Sequence, residues 1–470
     1  MKINQLKLGN FKRYDNVSID MSSPINLFLG PNSSGKSSII KSIIGLKQTA
    51  SLGNEHETFS AQGDYVDLGT YRDYVRNHDI KSQFSIGCLV DFDKARPIYT
   101  EIFENGIVFI EVVFDYDYAS EQSRIKSVTV KGGPDDDFVL LLERKKTRSS
   151  YTLKFSETHA KSLLDKWMNK DDKSSMQEVL SKWTTGISLE HYEKYTFISS
   201  NKNRDKNFLD MEPLYIFNTL LSTFLRGIDR DCFYLGPLRK SPARSYTRTA
   251  HSLSVGANGE HTPSVFSNLV AKANKSRGQS SLYKEGYQNL LGWMNLIFPG
   301  RGVLPKSLDE LVKLEVTRGG GKNDLGREAI SDVGFGFSQV FPILVQAAVM
   351  PRNATLIIEQ PELHLHPMAQ AALARVIADA TKKGKRFIIE THSEHFVRGL
   401  QLAVSEYRLD KKTGLSRTDI CFYYVPPSPA AISTIQLNEW GEFESEWPAG
   451  FFDESYRLAM ELLKNKSKKV

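Results

Sequence analysis

No stretch of this 470-residue chain strings together the roughly 18 apolar residues a membrane-spanning helix needs. The opening MKINQLKLGNFKRY alternates apolar and polar residues and so lacks the apolar core of a signal peptide. No membrane association and a cytoplasmic location are therefore expected. Cysteine is scarce. Cys88, Cys232 and Cys421 lie far apart and form no CxxC, which argues against a zinc ribbon or a disulfide scaffold and fits a reducing compartment. Charge of one sign is also lacking. The 61 basic and 55 acidic residues leave only +6, which permits contact with nucleic acid without arguing for it. There is no internal repeat and no long low-complexity segment. With 40% hydrophobic and 25% charged residues the composition is globular, excluding a disordered chain or a coiled-coil rod. At roughly 100–200 residues per domain, two to four structural units are expected.

The patterning suggests where they fall. The first thirty residues read as strand, turn, strand, and INLFL at 25–29 is a short buried-strand run. Residues 82–155 carry several strand-like runs separated by turn residues and predict an antiparallel sheet. Residues 160–230 shift to helical spacing and read as an insertion or arm. The region 236–285 is rich in loop signals. From about 286 helix and strand alternate, and ATLIIEQ and RFIIETH joined by a helix at 367–383 form a βαβ unit, hence a parallel sheet. The expected division is 1–160, 161–230, 231–410 and a closing segment 411–470 with a basic tail.

Gly30-Pro-Asn-Ser-Ser-Gly-Lys-Ser37 matches GxxxxGK[ST] without a mismatch, between an apolar strand and a helix. Glycines let backbone N–H groups turn toward phosphate oxygens, and the helix start adds a positive dipole end. The nucleotide contacts expected are Asn32, Ser33, Ser34, Gly35, Lys36, Ser37 and Ser38. Lys36 neutralises the β and γ phosphates of ATP, and the Ser37 hydroxyl ligates Mg²⁺. LIIEQPE at 356–362 ends a second buried strand, where a Walker B segment places a metal-binding acid and then a group that handles the attacking water. The proline register puts Glu359 at the metal position and Gln360 at the base position. An amide orients water but accepts no proton. Glu362 is an alternative carboxylate, and a one-residue shift makes Glu359 the catalytic group. His392, after RFIIET, is placed to meet the γ-phosphate.

Four stretches, NFKRYDNVSIDM…NLFLGPNSSGKSSII, DVGFGFSQVFPIL, LIIEQPELHLHP and FIIETHSEHF, resemble the ATPase heads of the ABC/SMC superfamily, in particular stand-alone ATPases of the OLD and RecF type. The resemblance runs from the first residues to about 455 and is weakest over 80–230. It implies an α/β head with an antiparallel lobe and a helical insertion, and ATP sandwiched between two heads. At the signature position, facing the partner's ATP, stand Gly334, Gly336 and Ser338, in a loop that departs from LSGGQ. Leu365-His366-Pro367 falls where the family has its D-loop. Gln48 or Gln62 falls near its Q-loop, with Gln48 expected on the metal side. The resemblance also implies a homodimer or larger homo-oligomer.

Gln360 at the base position predicts slow hydrolysis, hence a switch more than a motor. The biological expectation is the sensor of a bacterial anti-phage system controlling a separate effector, such as a nuclease or toxin. The alternative is a DNA-repair ATPase clamping duplex DNA, with Arg144, Lys145, Lys146 and Arg148 as a basic run. A third possibility is a binding module using ATP only structurally. OLD nucleases carry a TOPRIM domain after the ATPase, and the residues following the last core motif are too few for one, so intrinsic nuclease activity is not expected. Four of ten histidines fall within 364–395, but HLH and THSEH already fit the motifs named, so a separate metal centre is not expected. Arg239 is weighed as a nucleotide or partner contact against an exposed loop arginine, and Trp447–Phe452 as core packing.

Overall fold

The computed structural model describes residues 1–51, 58–92, 102–103, 106–145, 150–168, 173–193, 196–199, 208–249, 253–275, 282–308, 310–318, 326–427, 430–445, 458, 460–462 and 464–465. Lys146, Arg148 and the Trp447–Phe452 stretch lie outside them. The chain divides into two compact units. One comprises Met1–Ser22 with Ser38–Cys232, the other Ser23–Ser37 with Phe233–Val470. This cuts across the expected division. Residues 23–37, expected in a first lobe at 1–160, fold with the later chain because Ile25–Leu29 pairs there on both edges.

The first unit is built on a nine-stranded sheet, and the pairings given along it are antiparallel. The strand signals over 82–155 become Phe84–Asp91, Ile107–Asp117, Gln122–Lys131, Phe138–Arg144 and Tyr151–Phe155. Alternate side chains are buried along much of them, as one packed face requires. Phe11, Phe59, Tyr74, Phe84 and Phe114 form an aromatic cluster with centroid separations of 4.9–6.5 Å. The segment expected to be helical carries helices Glu157–Trp167, Lys173–Thr185 and Phe208–Asp231. It also carries strands Ile187–Glu193 and Thr196–Ser199, which extend the sheet. Their alternation of polar and apolar residues is too short to outweigh the helical spacing on either side.

The second unit has a six-stranded sheet in the order Cys232–Leu235, Thr355–Glu359, Arg386–Glu390, Ile25–Leu29, Ile420–Tyr424, Ser433–Ile435. Thr355–Glu359, Arg386–Glu390, Ile25–Leu29 and Ile420–Tyr424 run parallel, and the first three are buried at every residue. That is why these strands read as unbroken apolar runs. Helices Pro367–Lys382 and Glu394–Leu409 follow the second and third strands of the order. A separate antiparallel sheet, with Arg301–Leu308 paired to Leu311–Arg318, was not foreseen in a region read as alternating helix and strand. Helix Thr262–Lys275 arises in the stretch expected to be loops.

Parallel register brings the carboxyl ends of three strands level, which is where open α/β sheets bind ligands. At the end of Ile25–Leu29 the chain turns through Gly30 at φ +146°. A Cβ on Gly30 would sit 2.2 Å from the Val425 carbonyl oxygen, a backbone atom. Gly30→Ala combines this clash with a backbone conformation foreign to L-residues. It is expected to lower the unfolding free energy by about 3 kcal/mol, measured by urea denaturation.

Candidate nucleotide site

The P-loop leaves strand Ile25–Leu29 and enters helix Lys36–Ser51, as expected. Asn32 and Ser33 are exposed, Ser34 is buried, and Ser38 lies in the first helical turn. Ser33 at φ +61° and Gly35 at φ +97° supply the left-handed steps that turn successive N–H groups inward. Lys36 is 3% exposed. Its ammonium donates to the carbonyls of Gly30 at 3.0 Å and Pro31 at 2.8 Å, bridging the loop. Burial lowers its pKa, opposed by Glu390 with Oε1 at 3.9 Å from Nζ.

Glu390 was not singled out in the sequence. It closes strand Arg386–Glu390, between the P-loop strand and the Glu359 strand, and pairs in register with Glu359 on one side and Phe28 on the other. The Ser37 hydroxyl lies 2.9 and 3.1 Å from its two oxygens. Burial raises the Glu390 carboxyl to about 7, helped by the neighbouring Glu359 and opposed by Ser37 and Lys36. The available signal was the parallel register itself, since level partners on adjacent strands point the same way.

Glu359 is buried and accepts a 2.7 Å hydrogen bond from the Tyr234 hydroxyl. Burial raises the Tyr234 pKa, and Glu359 raises it further. Gln360 follows at φ +46°, a left-handed conformation for a non-glycine residue placed before a proline. Its main chain is held at both ends. Its N–H donates to the Glu390 carbonyl at 2.7 Å, and its carbonyl accepts from Arg239 at 3.0 Å. The other guanidinium arm of Arg239 donates to the Glu359 carbonyl at 3.0 Å. Arg239 is thus 5% exposed, not the exposed loop residue weighed from sequence. Burial lowers its pKa to about 10 even with Glu362, Tyr234 and Glu359 nearby.

Glu362 is a bracket between segments. Its two oxygens accept from the Thr391 hydroxyl and the His392 N–H, each at 2.8 Å. Burial nonetheless raises its pKa. His392 is half-buried and its pKa is lowered, by burial first and then by the Lys36 charge, which favours the neutral ring. Because the Glu362 oxygens are committed, Glu362→Gln is expected to cost about 1–2 kcal/mol of stability while leaving ATP turnover within a few fold. Loss of turnover out of proportion to stability would make Glu362 the base.

At the signature position Gly334 caps helix Phe335–Val349. Gly336 packs against the carbonyl of His364, where a Cβ would come within 2.6 Å. Ser338 is buried and points into a small cavity with Tyr246, Thr262 and Phe341, so it is not displayed to a partner as expected. Gln48 also departs from expectation. Its carbonyl oxygen accepts from the N–H groups of Tyr65 and Val66, and its amide donates to the carbonyls of Ser60 and Val66. With both lone pairs used, it has no capacity left for a cation. Gln62 is exposed. His364, His366 and His395 are exposed, and among the described residues no group of three or more His, Cys, Asp or Glu is arranged to hold a metal ion. No helix of the described residues is long and apolar enough to cross a membrane.

The oxygen donors that do converge, the Ser37 hydroxyl and the Glu390 carboxylate beside the P-loop, are of the kind that suits a hard cation such as Mg²⁺. Residues 25–398 match the family described as "AAA domain, putative AbiEii toxin, Type IV TA system". Curated relatives include the DNA replication and repair protein RecF of Cytophaga hutchinsonii, 31% identical over 108 residues, 22% of this chain and 28% of that protein. RecF of Enterococcus faecalis is 39% identical over 57 residues, 12% and 15% of the two chains. The chain thus spans under a third of the length of these relatives. Among solved structures, an SMC head bound to the C-terminal winged-helix domain of ScpA aligns over 93% of this chain and 99% of that one, at 11% identity and a TM-score of 0.42. An SMC head from Pyrococcus furiosus bound to the C-terminal domain of ScpA aligns over 99% of both, at 11% identity and 0.43. With an intact P-loop on a parallel sheet and a family match that spans most of its length, the protein belongs to this AAA-domain family.

Proposed function

We propose that this ATPase is a nucleotide-gated switch. Two copies close on ATP, hydrolysis is slow, and the long-lived closed pair is the state that a separate effector reads. One observation carries the reading: the residue after Glu359 is Gln360. Its backbone is pinned by Glu390 and Arg239, which supports reading residue 360 as a fixed position whose amide orients the attacking water. General-base assistance typically contributes about 10²–10⁴-fold, and an amide supplies only the orienting part. Lys36 and the P-loop N–H groups would hold the phosphates, and His392, at the end of the neighbouring strand, would meet the terminal phosphate. Bound Mg²⁺ would supply charge neutralisation beside Ser37. Gly334 and the N–H groups opening helix Phe335–Val349 would face the partner's nucleotide.

The toxin-system wording of the family supports an effector-coupled role, which we place in bacterial anti-phage defence with the nuclease or toxin on another chain. The RecF relatives support the alternative, an ATPase that clamps duplex DNA. Solution mass with and without a non-hydrolysable ATP analogue tests the switch. The wild type should double in mass or more, and Lys36→Ala should stay unshifted. A mass indifferent to nucleotide rejects ATP-driven closure. Duplex binding whose affinity falls steeply with salt would favour the clamp.

A further inference from the structure

We infer that Glu390 ligates the divalent cation that accompanies ATP, directly beside Ser37. This rests on the ATPase reading and assigns the metal a carboxylate outside the P-loop and Walker B motifs. The first ground is spacing. Two adjacent ligands of an octahedral Mg²⁺, each about 2.1 Å from the ion, stand about 3 Å apart. The Ser37 hydroxyl oxygen and the Glu390 oxygens stand 2.9 and 3.1 Å apart. The pair is thus already spaced as neighbours in one coordination sphere. The second ground is orientation. Glu359, the acid the motif nominates, bonds the Tyr234 hydroxyl, whereas Glu390 is engaged by the P-loop hydroxyl and faces the P-loop ammonium at 3.9 Å. The third is charge. Strand register sets Glu359 and Glu390 level on adjacent strands, both 5% exposed or less. Two buried carboxylates that close repel, and bringing in ATP phosphates adds negative charge. A divalent cation held by Glu390 beside Ser37 offsets both. Without a cation, Glu390 instead occupies Ser37 and competes with phosphate for Lys36.

The test is equilibrium binding of a fluorescent, non-hydrolysable ATP analogue to the full chain, in Mg²⁺ and in EDTA, with Mn²⁺ paramagnetic resonance counting bound ions. Wild type should bind more tightly with Mg²⁺. Glu390→Gln should lose about 10–100-fold of metal affinity, with the metal enhancement of nucleotide binding largely gone. Its affinity in EDTA should be unchanged or higher, because the competing carboxylate is gone. Glu390→Asp, which keeps the charge on a shorter arm, should lose several-fold and carries the test should the Gln variant misfold. Folded variants with the wild-type metal enhancement overturn the inference. A wild type that binds the analogue in neither condition overturns the ATPase reading itself, a separate result.

Discussion

Gln360→Glu is expected to speed ATP hydrolysis by about 10–100-fold, the lower part of what a general base supplies. The backbone at residue 360 is already fixed by Glu390 and Arg239, so the substitution exchanges an amide for a carboxylate without asking the turn to move. A gain of the full 10⁴ is not expected. The new carboxylate joins Glu359, Glu362 and Glu390, and their mutual repulsion raises its pKa and reduces the fraction that is ionised. The ATP-held pair should shorten its lifetime in proportion to the gain in turnover. A variant no faster than wild type would mean that proton transfer to residue 360 does not limit the rate.

Arg239→Met is expected to cost about 3 kcal/mol in unfolding free energy. Two opposing terms decide this. Burying the guanidinium is expensive, as its depressed pKa of about 10 records, and removing it returns that cost. Against this, the carbonyls of Glu359 and Gln360 lose their donors, and the Glu362 and Glu359 carboxylates lose the cation beside them. Stranding buried acceptors and charges costs more than the recovered desolvation. Arg239→Lys should rescue little, because a point charge does not reach both carbonyls as the planar fork does. Turnover should fall in both variants as the Gln360 turn loosens. A change under about 0.5 kcal/mol in urea denaturation would show that the guanidinium is not what holds this turn.

The parts of the site that are contiguous in sequence were legible there. The P-loop declares itself because glycines, lysine and serine at fixed spacing are the whole device. The buried strands Thr355–Glu359 and Arg386–Glu390 read as apolar runs because both faces are covered. The parts made by pairing were not legible. Glu390 gains its place from register across Ile25–Leu29, more than 350 positions earlier in the chain. Arg239 sits in a proline- and serine-rich stretch whose composition reads as exposed loop, and only folding puts its guanidinium beneath Gln360. Gln48 shows the converse: a glutamine near the expected spacing is consumed by local backbone bonds that no motif predicts. The extra strands Ile187–Glu193 and Thr196–Ser199 depend on a sheet edge supplied by Tyr151–Phe155.

The most direct test of the switch is steady-state turnover of Mg²⁺-ATP by the wild-type protein, measured beside its solution mass in the same sample. The account predicts a closed pair that persists while ATP is present and turns over slowly, with both properties absent in Lys36→Ala. Brisk turnover by protein that does not accumulate in the closed form, abolished by Glu362→Ala or Glu359→Ala, would contradict it and mark the chain as a motor with a carboxylate base.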